Sequence, residues 1–141
     1  MNQKYETPEG KFYNTEEMKT FISDIVNQTV LKLKMAGLMK DDRKSAYQKT
    51  EELLRNYNAF AHSDQPYTKK LVRRIDDALE KIENDDYIDL IIMHYFEGKS
   101  REEIAEFYDV TVTTVSRNKT RLIETLKTYL FSDDVIYELF L

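Results

Sequence analysis

Cysteine is absent from the 141 residues, which rules out disulfide staples and thiolate metal sites and suits a reducing cytoplasm. Histidine occurs only twice, and two imidazoles without a thiolate are a poor basis for zinc chemistry. Glycine and proline are scarce, three and two residues respectively, so the chain offers few turns and few strand breaks, and helix is the expected backbone state. Long apolar runs are missing too. None approaches the ~20 residues that span a bilayer, and Met1–Gly10 lacks the apolar region of a secretory signal. What remains is 41% hydrophobic and 33% charged, enough to bury a modest core and stay dissolved, as one domain or a small domain with an appendage.

The formal net charge is −5, which as an average argues against a polyanionic partner. The distribution argues otherwise. Residues 1–64 balance, with ten bases and ten acids, while Asp76–Asp109 holds twelve acids against three bases. Val110–Lys127 then carries Arg117, Lys119, Arg121 and Lys127 against Glu124 alone. The sign reverses over one short segment.

Along the chain, Thr7-Pro8-Glu9-Gly10 suits a turn, so residues 1–14 read as a short hairpin or an arm. From Thr15 the residues Met18, Phe21, Ile22, Ile25, Val26, Val30 and Leu33 recur every three or four positions. That is the stripe of an amphipathic helix, which Gly37 is expected to end. A second helix is predicted from about Asp42 to Ala61, with Ala46, Tyr47, Leu53, Leu54, Tyr57 and Phe60 inward. His62-Ser63-Asp64-Gln65-Pro66 breaks the pattern and marks the expected joint between a helical region, 1–64, and a second domain, 65–141. A third helix, about Thr68 to Glu83, turns Leu71, Ile75, Ala78, Leu79 and Ile82 to one side, and a short one over Asp86–Phe96 buries Ile88, Ile91, Ile92 and Tyr95. Val135, Ile136, Leu139 and Phe140 form a last apolar stripe, suited equally to a packed terminal helix and to a homodimer contact. The fold class is all-α.

The most informative stretch is Gly98–Leu130. Gly98 follows Tyr95-Phe96, where a left-handed residue stops a helix at little cost. Ser100 and Glu103 then have capping-box spacing: the hydroxyl accepts a free backbone N–H and the carboxylate reaches back. The helix so started is short, Arg101 to about Tyr108, with Ile104, Ala105 and Phe107 or Tyr108 to pack. Asp109 takes the turn, aspartate tolerating the left-handed region better than most residues. Thr111 caps a second helix that sends Val112, Val115, Leu122, Leu126 and Leu130 inward. Outside it leaves Thr113, Thr114, Ser116, Arg117, Thr120 and Arg121. Hydroxyls on such a face suit phosphates and base edges, and arginines can bind guanine with two hydrogen bonds. Arg117 and Arg121 are therefore expected to read bases, and Thr111, Thr113, Lys119 and Lys127 to hold phosphates. Lys69, Lys70, Arg73 and Arg74 form a second basic group, suited equally to a solvated face and to phosphate contacts.

Other constellations are weaker. The pairs Asp41-Asp42, Asp76-Asp77, Asp85-Asp86 and Asp133-Asp134 diverge on a helix and rarely converge on one ion. Three of them stand near expected helix starts, where carboxylates favour the dipole. His62 and His94 are isolated, and no Ser/His/Asp spacing suggests a nucleophile. The sequence reads as a non-enzyme without cofactor. Its aromatic residues fall mostly on the inward stripes, so core packing accounts for them better than base stacking. The acidic block Asp76–Asp109 reads as solvated exterior, with a polymerase-facing surface as the alternative.

Tyr95-Phe96-Glu97-Gly98-Lys99-Ser100, Glu103-Ile104-Ala105 and Val110-Thr111-Val112-Thr113-Thr114-Val115-Ser116-Arg117 together resemble region four of bacterial sigma factors, which reads promoter DNA through a helix-turn-helix. The resemblance is strongest over Asp86–Leu130, about a third of the chain. Within that group the chain is most similar to ArpU/RinA-like regulators of phages and prophages, which activate late genes for packaging and lysis. Where the family pattern has a turn glycine and a leucine before it, this chain has Asp109 and Tyr108. Met1–Ala61 has no likeness to the sigma segments that melt promoters. The resemblance implies a sequence-specific regulator of transcription in the host cytoplasm, with double-stranded DNA and bacterial RNA polymerase as partners. Two other readings use the same fold: a DNA-packaging component like a small terminase subunit, and a protein-interaction or inhibitor module that does not touch DNA.

Overall fold

Serine and threonine caps, one proline and two left-handed residues set the boundaries of most helices. The computed structural model describes residues 4–6, 12–41 and 43–140. In it β1 (Lys4–Glu6) pairs antiparallel with β2 (Phe12–Asn14), Tyr5 opposite Tyr13. The turn expected at Thr7–Gly10 lies outside the described residues. All other regular structure among the described residues is helical, so the protein is all-α but for this small ladder.

Helix α1 (Thr15–Lys40) runs through Gly37 rather than ending there. One glycine inside a helix costs only about 1 kcal/mol, and Gly37 is not in the left-handed region. The chain stops instead at Asp41, whose carboxylate accepts from the backbone and the guanidinium of Arg43. The expected helix over Asp42–Ala61 is two helices, and Asp42 itself lies outside the described residues. Ser45 caps α2 (Ala46–Arg55) in a complete capping box with Gln48. Asn56 breaks the helix: its side-chain amide donates to Glu52 O at 2.8 Å, a local bond that competes with the helical ladder. Helix α3 (Tyr57–Ala61) follows directly.

Helix α4 (Pro66–Glu80) begins on Pro66, a residue preset for the first helical position. A run of turns from Lys81 to Tyr87 leads to α5 (Ile88–Ile91), which passes directly into a π-helical turn, Ile92–Phe96. Gly98, at φ 70°, ends that turn. Helices α6 (Arg101–Tyr108), α7 (Val112–Leu130) and α8 (Asp133–Phe140) complete the order. No helix of the described residues is long and apolar enough to cross a membrane.

One core serves all of α2–α8. Leu53, Leu54 and Phe60 bury with Leu71 and Ile75 of α4, Leu90 and Ile91 of α5, Ile104 of α6, and Val115, Leu122, Ile123 and Leu126 of α7. Each such side chain contributes roughly 1.5–3 kcal/mol. The segment His62–Pro66 is therefore a turn within one packed unit, and the division expected at 64/65 does not separate two cores. Val135 and Leu139 of α8 are buried in the same core, and Tyr67 donates to Leu139 O at 2.9 Å. That is the packed terminal helix of the two readings of the last stripe, and the side chain of Phe140 lies outside the described set.

The first stripe behaves differently. Among the described residues of α1, only Met35 and Leu38, near its end, reach the core. Ile22, Val26 and Leu33 are 53%, 52% and 68% exposed, although their spacing predicts an inward face. Helix α1 touches the hairpin, which leads straight into its first turn, as well as α4 and α8. The side chains of Ile25 and Val30 lie outside the described set.

Candidate nucleic-acid interface

The geometry starts from the turn between α6 and α7. Ser100 caps α6 with both arms of the capping box closed: Glu103 N–H donates to Ser100 Oγ at 3.2 Å, and Glu103 Oε1 accepts from Ser100 N at 3.4 Å. Such a cap stabilises the helix by about 1 kcal/mol. At the other end Asp109 is left-handed, φ 53° and ψ 50°. Asp109 N–H donates to Glu106 O at 3.2 Å and Val110 N–H to Ala105 O at 3.0 Å, the paired bonds of a Schellman stop. Thr111 then caps α7, its hydroxyl accepting from Thr114 N at 3.1 Å. Only three residues separate the helices, so α6 crosses α7 closely, with Ala105 and the fully buried Val115 at the contact.

Helix α7 is held on more than one side. Val115, Leu122, Leu126 and Leu130 face the core as the spacing predicts, but Ile123 is also fully buried. Helix α2 accounts for this by lying along that flank. Glu51 of α2 stands 3.6 Å from Lys119, and burial pushes the Tyr47 phenol of α2 upward against a hydrogen bond with Thr120. The outward face is accordingly narrower than the sequence suggests, and it centres on Thr113, Arg117, Thr120 and Glu124, all exposed.

The predicted residues separate on this frame. Arg117 is exposed and has no hydrogen bond or ion pair among the described residues. Thr113 is exposed beside it, and Thr111 and Thr114 share a 2.9 Å hydroxyl contact at the start of the helix. Ser116, half-buried, accepts from Arg101 Nη1 at 3.0 Å. Thr120 is exposed, its hydroxyl donating to Ser116 O at 3.0 Å.

Arg121 is exposed but occupied. Its Nη1 and Nη2 donate to Asp85 at 2.6 and 3.0 Å, and Nε and Nη2 donate to Asn118 at 3.3 and 3.1 Å. The hydrogen bonds from Arg121 hold the Asp85 carboxyl below its ordinary range, against a desolvation acting the other way. Those with Asp85 hold the guanidinium's proton more firmly still. In this arrangement Arg121 has no free donor edge for a base.

Lys119 does not share the outward face. Its side chain is 19% exposed and turned to Glu51, because its angular position on α7 falls on the flank that α2 covers. Lys127 pairs with Glu124 one turn back, at 2.5 Å. In the second basic group Arg74 is half-buried against α8, where it pairs with Glu138. Lys69, Lys70 and Arg73 are exposed. The start of α4 lies against α8, through Tyr67–Leu139 and Arg74–Glu138, so this group and the α7 face are not brought together by any contact among the described residues.

Three participants escaped the sequence reading. Arg101 occupies the first position of α6, where the helix dipole disfavours a cation; that mismatch was the available signal. Asp85 and Glu51 reach Arg121 and Lys119 across 36 and 68 positions, and no local pattern announces such partners. Chemically, the face presents hydroxyls, one uncommitted guanidinium and a second guanidinium held by a carboxylate. It fits a ligand bearing phosphates and hydrogen-bonding edges. No family model, characterised protein or solved structure matches this chain.

Proposed function

We propose that the protein binds double-stranded DNA sequence-specifically by laying α7 in the major groove, with α6 bracing it across the backbone. The observation that carries this reading is the exposed line Thr113–Arg117–Thr120 on a helix whose opposite side is anchored in the core. Such a helix has Thr113 and Arg117 free to meet base edges and a rigid mount that fixes their register. Arg117 is the base reader in this reading; Thr111 and Thr113 at the start of α7 suit phosphates. Following its resemblance to sigma region four and to ArpU/RinA-like regulators, the protein acts as a transcription regulator, an activator of phage or prophage late genes working beside host RNA polymerase.

Selection from a random duplex library tests the first step. The full chain should enrich a defined motif, and Arg117→Ala should lose about 1–3 kcal/mol on it and relax one base pair. Recovery of no motif at low salt would favour a protein-interaction module. Equal affinity of wild type and Arg117→Ala for selected and scrambled duplexes would remove Arg117 from the assignment.

A further inference from the structure

Four of the six large apolar side chains exposed among the described residues belong to α1: Phe21, Ile22, Val26 and Leu33. Ile22, Val26 and Leu33 follow one another at spacings of four and seven, which puts them on one line along the helix. The half-buried Met18 extends that line toward the N-terminus. Ile22, Val26 and Leu33, each more than half exposed and none of them in the protein's own core, have the composition of a contact surface rather than of a solvated helix.

The charges on α1 indicate what covers it. Glu16, Glu17 and Asp24 lie in its first half and Lys32, Lys34 and Lys40 in its second, with Lys19 the single exception. Glu16 does contact Lys19, at 3.8 Å with both side chains about three-quarters exposed, a geometry worth little in water. A parallel neighbour of the same kind would set acid against acid and base against base. An antiparallel one sets acid against base at both ends. Glu16 and Lys34 are eighteen residues apart, about five whole turns, and so lie on the same side of the helix. In an antiparallel two-fold pair, each Glu16 then meets the Lys34 of the other copy.

We infer that α1 is a homodimerisation helix, pairing antiparallel with α1 of a second copy along Met18, Ile22, Val26 and Leu33, with the two-fold axis near Val26. This goes beyond the DNA-binding reading and does not depend on it. Where that reading holds as well, the dimer carries two α7 faces and selects a site of two half-sites.

Light scattering and sedimentation on the full chain test the pairing without DNA. Wild type should be dimeric at micromolar concentration. Ile22→Glu with Leu33→Glu should weaken self-association by roughly a hundredfold or more, because like charges would face each other across the seam. Helix content should persist, since both side chains are largely exposed in the monomer. Glu16→Lys and Lys34→Glu should each weaken the dimer and together restore it. The chain lacks cysteine, so a second measurement comes without background. Under mild oxidation Val26→Cys, beside the axis, should form a cross-linked dimer and Met18→Cys should not, whereas a parallel pair would cross-link both. A monomeric wild type overturns the inference, as does a dimer indifferent to Ile22→Glu/Leu33→Glu or one that cross-links at Met18→Cys as readily as at Val26→Cys.

Discussion

Asp85→Asn should tighten DNA binding, provided Arg121 is present. The substitution keeps an oxygen for the Tyr87 N–H, which now donates to Asp85 Oδ1 at 2.9 Å, and removes the charge that holds the guanidinium. The bridge is bidentate, with side chains 48% and 22% exposed, so it contributes about 0.5–1 kcal/mol. That energy currently opposes any movement of Arg121 toward a phosphate or a base. Removing it should strengthen binding about two- to fivefold. If the released guanidinium takes one phosphate, the slope of log K against log salt steepens by about 0.9. The assay is fluorescence anisotropy on the selected duplex over a salt series, with wild type, Asp85→Asn, Arg121→Ala and the double variant. Thermal melts should show the cost of the lost bridge, about 2–4 °C for a chain of this size. The double variant should gain nothing over Arg121→Ala. An equal gain with and without Arg121 would mean that Asp85 acts only through its general charge. Weaker binding by a folded Asp85→Asn would mean that Asp85 orients Arg121 for the duplex rather than competing with it.

Three further outcomes follow from the geometry. Lys119→Ala should cost about 1–2 kcal/mol of stability by leaving Glu51 short of a cation, yet leave the salt slope of binding unchanged, since Lys119 faces α2; a shallower slope would return it to the interface. Asp109→Gly should raise unfolding free energy by about 0.5–1 kcal/mol in urea titration, the left-handed penalty exceeding glycine's entropic cost. Tyr57 stacks on Phe96 at 4.4 Å and donates to Asp76 at 2.6 Å; burial first, then that bond, leaves its phenol pushed up to about 12. A folded state that keeps this proton is fully stabilised below pH ~10 and loses about 1–2 kcal/mol as pH climbs toward ~12, after allowing for solvent screening. Tyr57→Phe should flatten that part of the pH–stability curve.

The features legible in the sequence are those whose physics is local. Ser100 with Glu103, Thr111, Gly98 and the left-handed Asp109 all act within a few residues of themselves, and the structure has each in its expected role. The inward residues of α4 and most of those of α7 followed from periodicity. The misreadings lie where a distant element decides. Ile123 and Lys119 depend on α2 lying along α7, and the freedom of Arg121 depends on Asp85. The α1 stripe has the right period for burial, yet among the described residues none of its members joins the core, which Met35 and Leu38 reach beyond it, because periodicity specifies a face and not what covers it. Asn56 and the π-helical turn interrupt helices whose apolar spacing continues across them.

Glu51 ties three parts of the molecule at one point. Its carboxylate accepts from Tyr95 Oη at 2.7 Å and from Arg55 at 3.2 Å, and stands 3.6 Å from Lys119. Loss of Lys119 leaves Glu51 with Arg55 and Tyr95, whereas loss of Glu51 takes the acceptor from the buried Tyr95 hydroxyl and the counter-charge from Arg55 and Lys119 at once. Position 51 should therefore tolerate less change than position 119. Among functional survivors of a library randomised at both, the acid at 51 should be kept far more often than the base at 119.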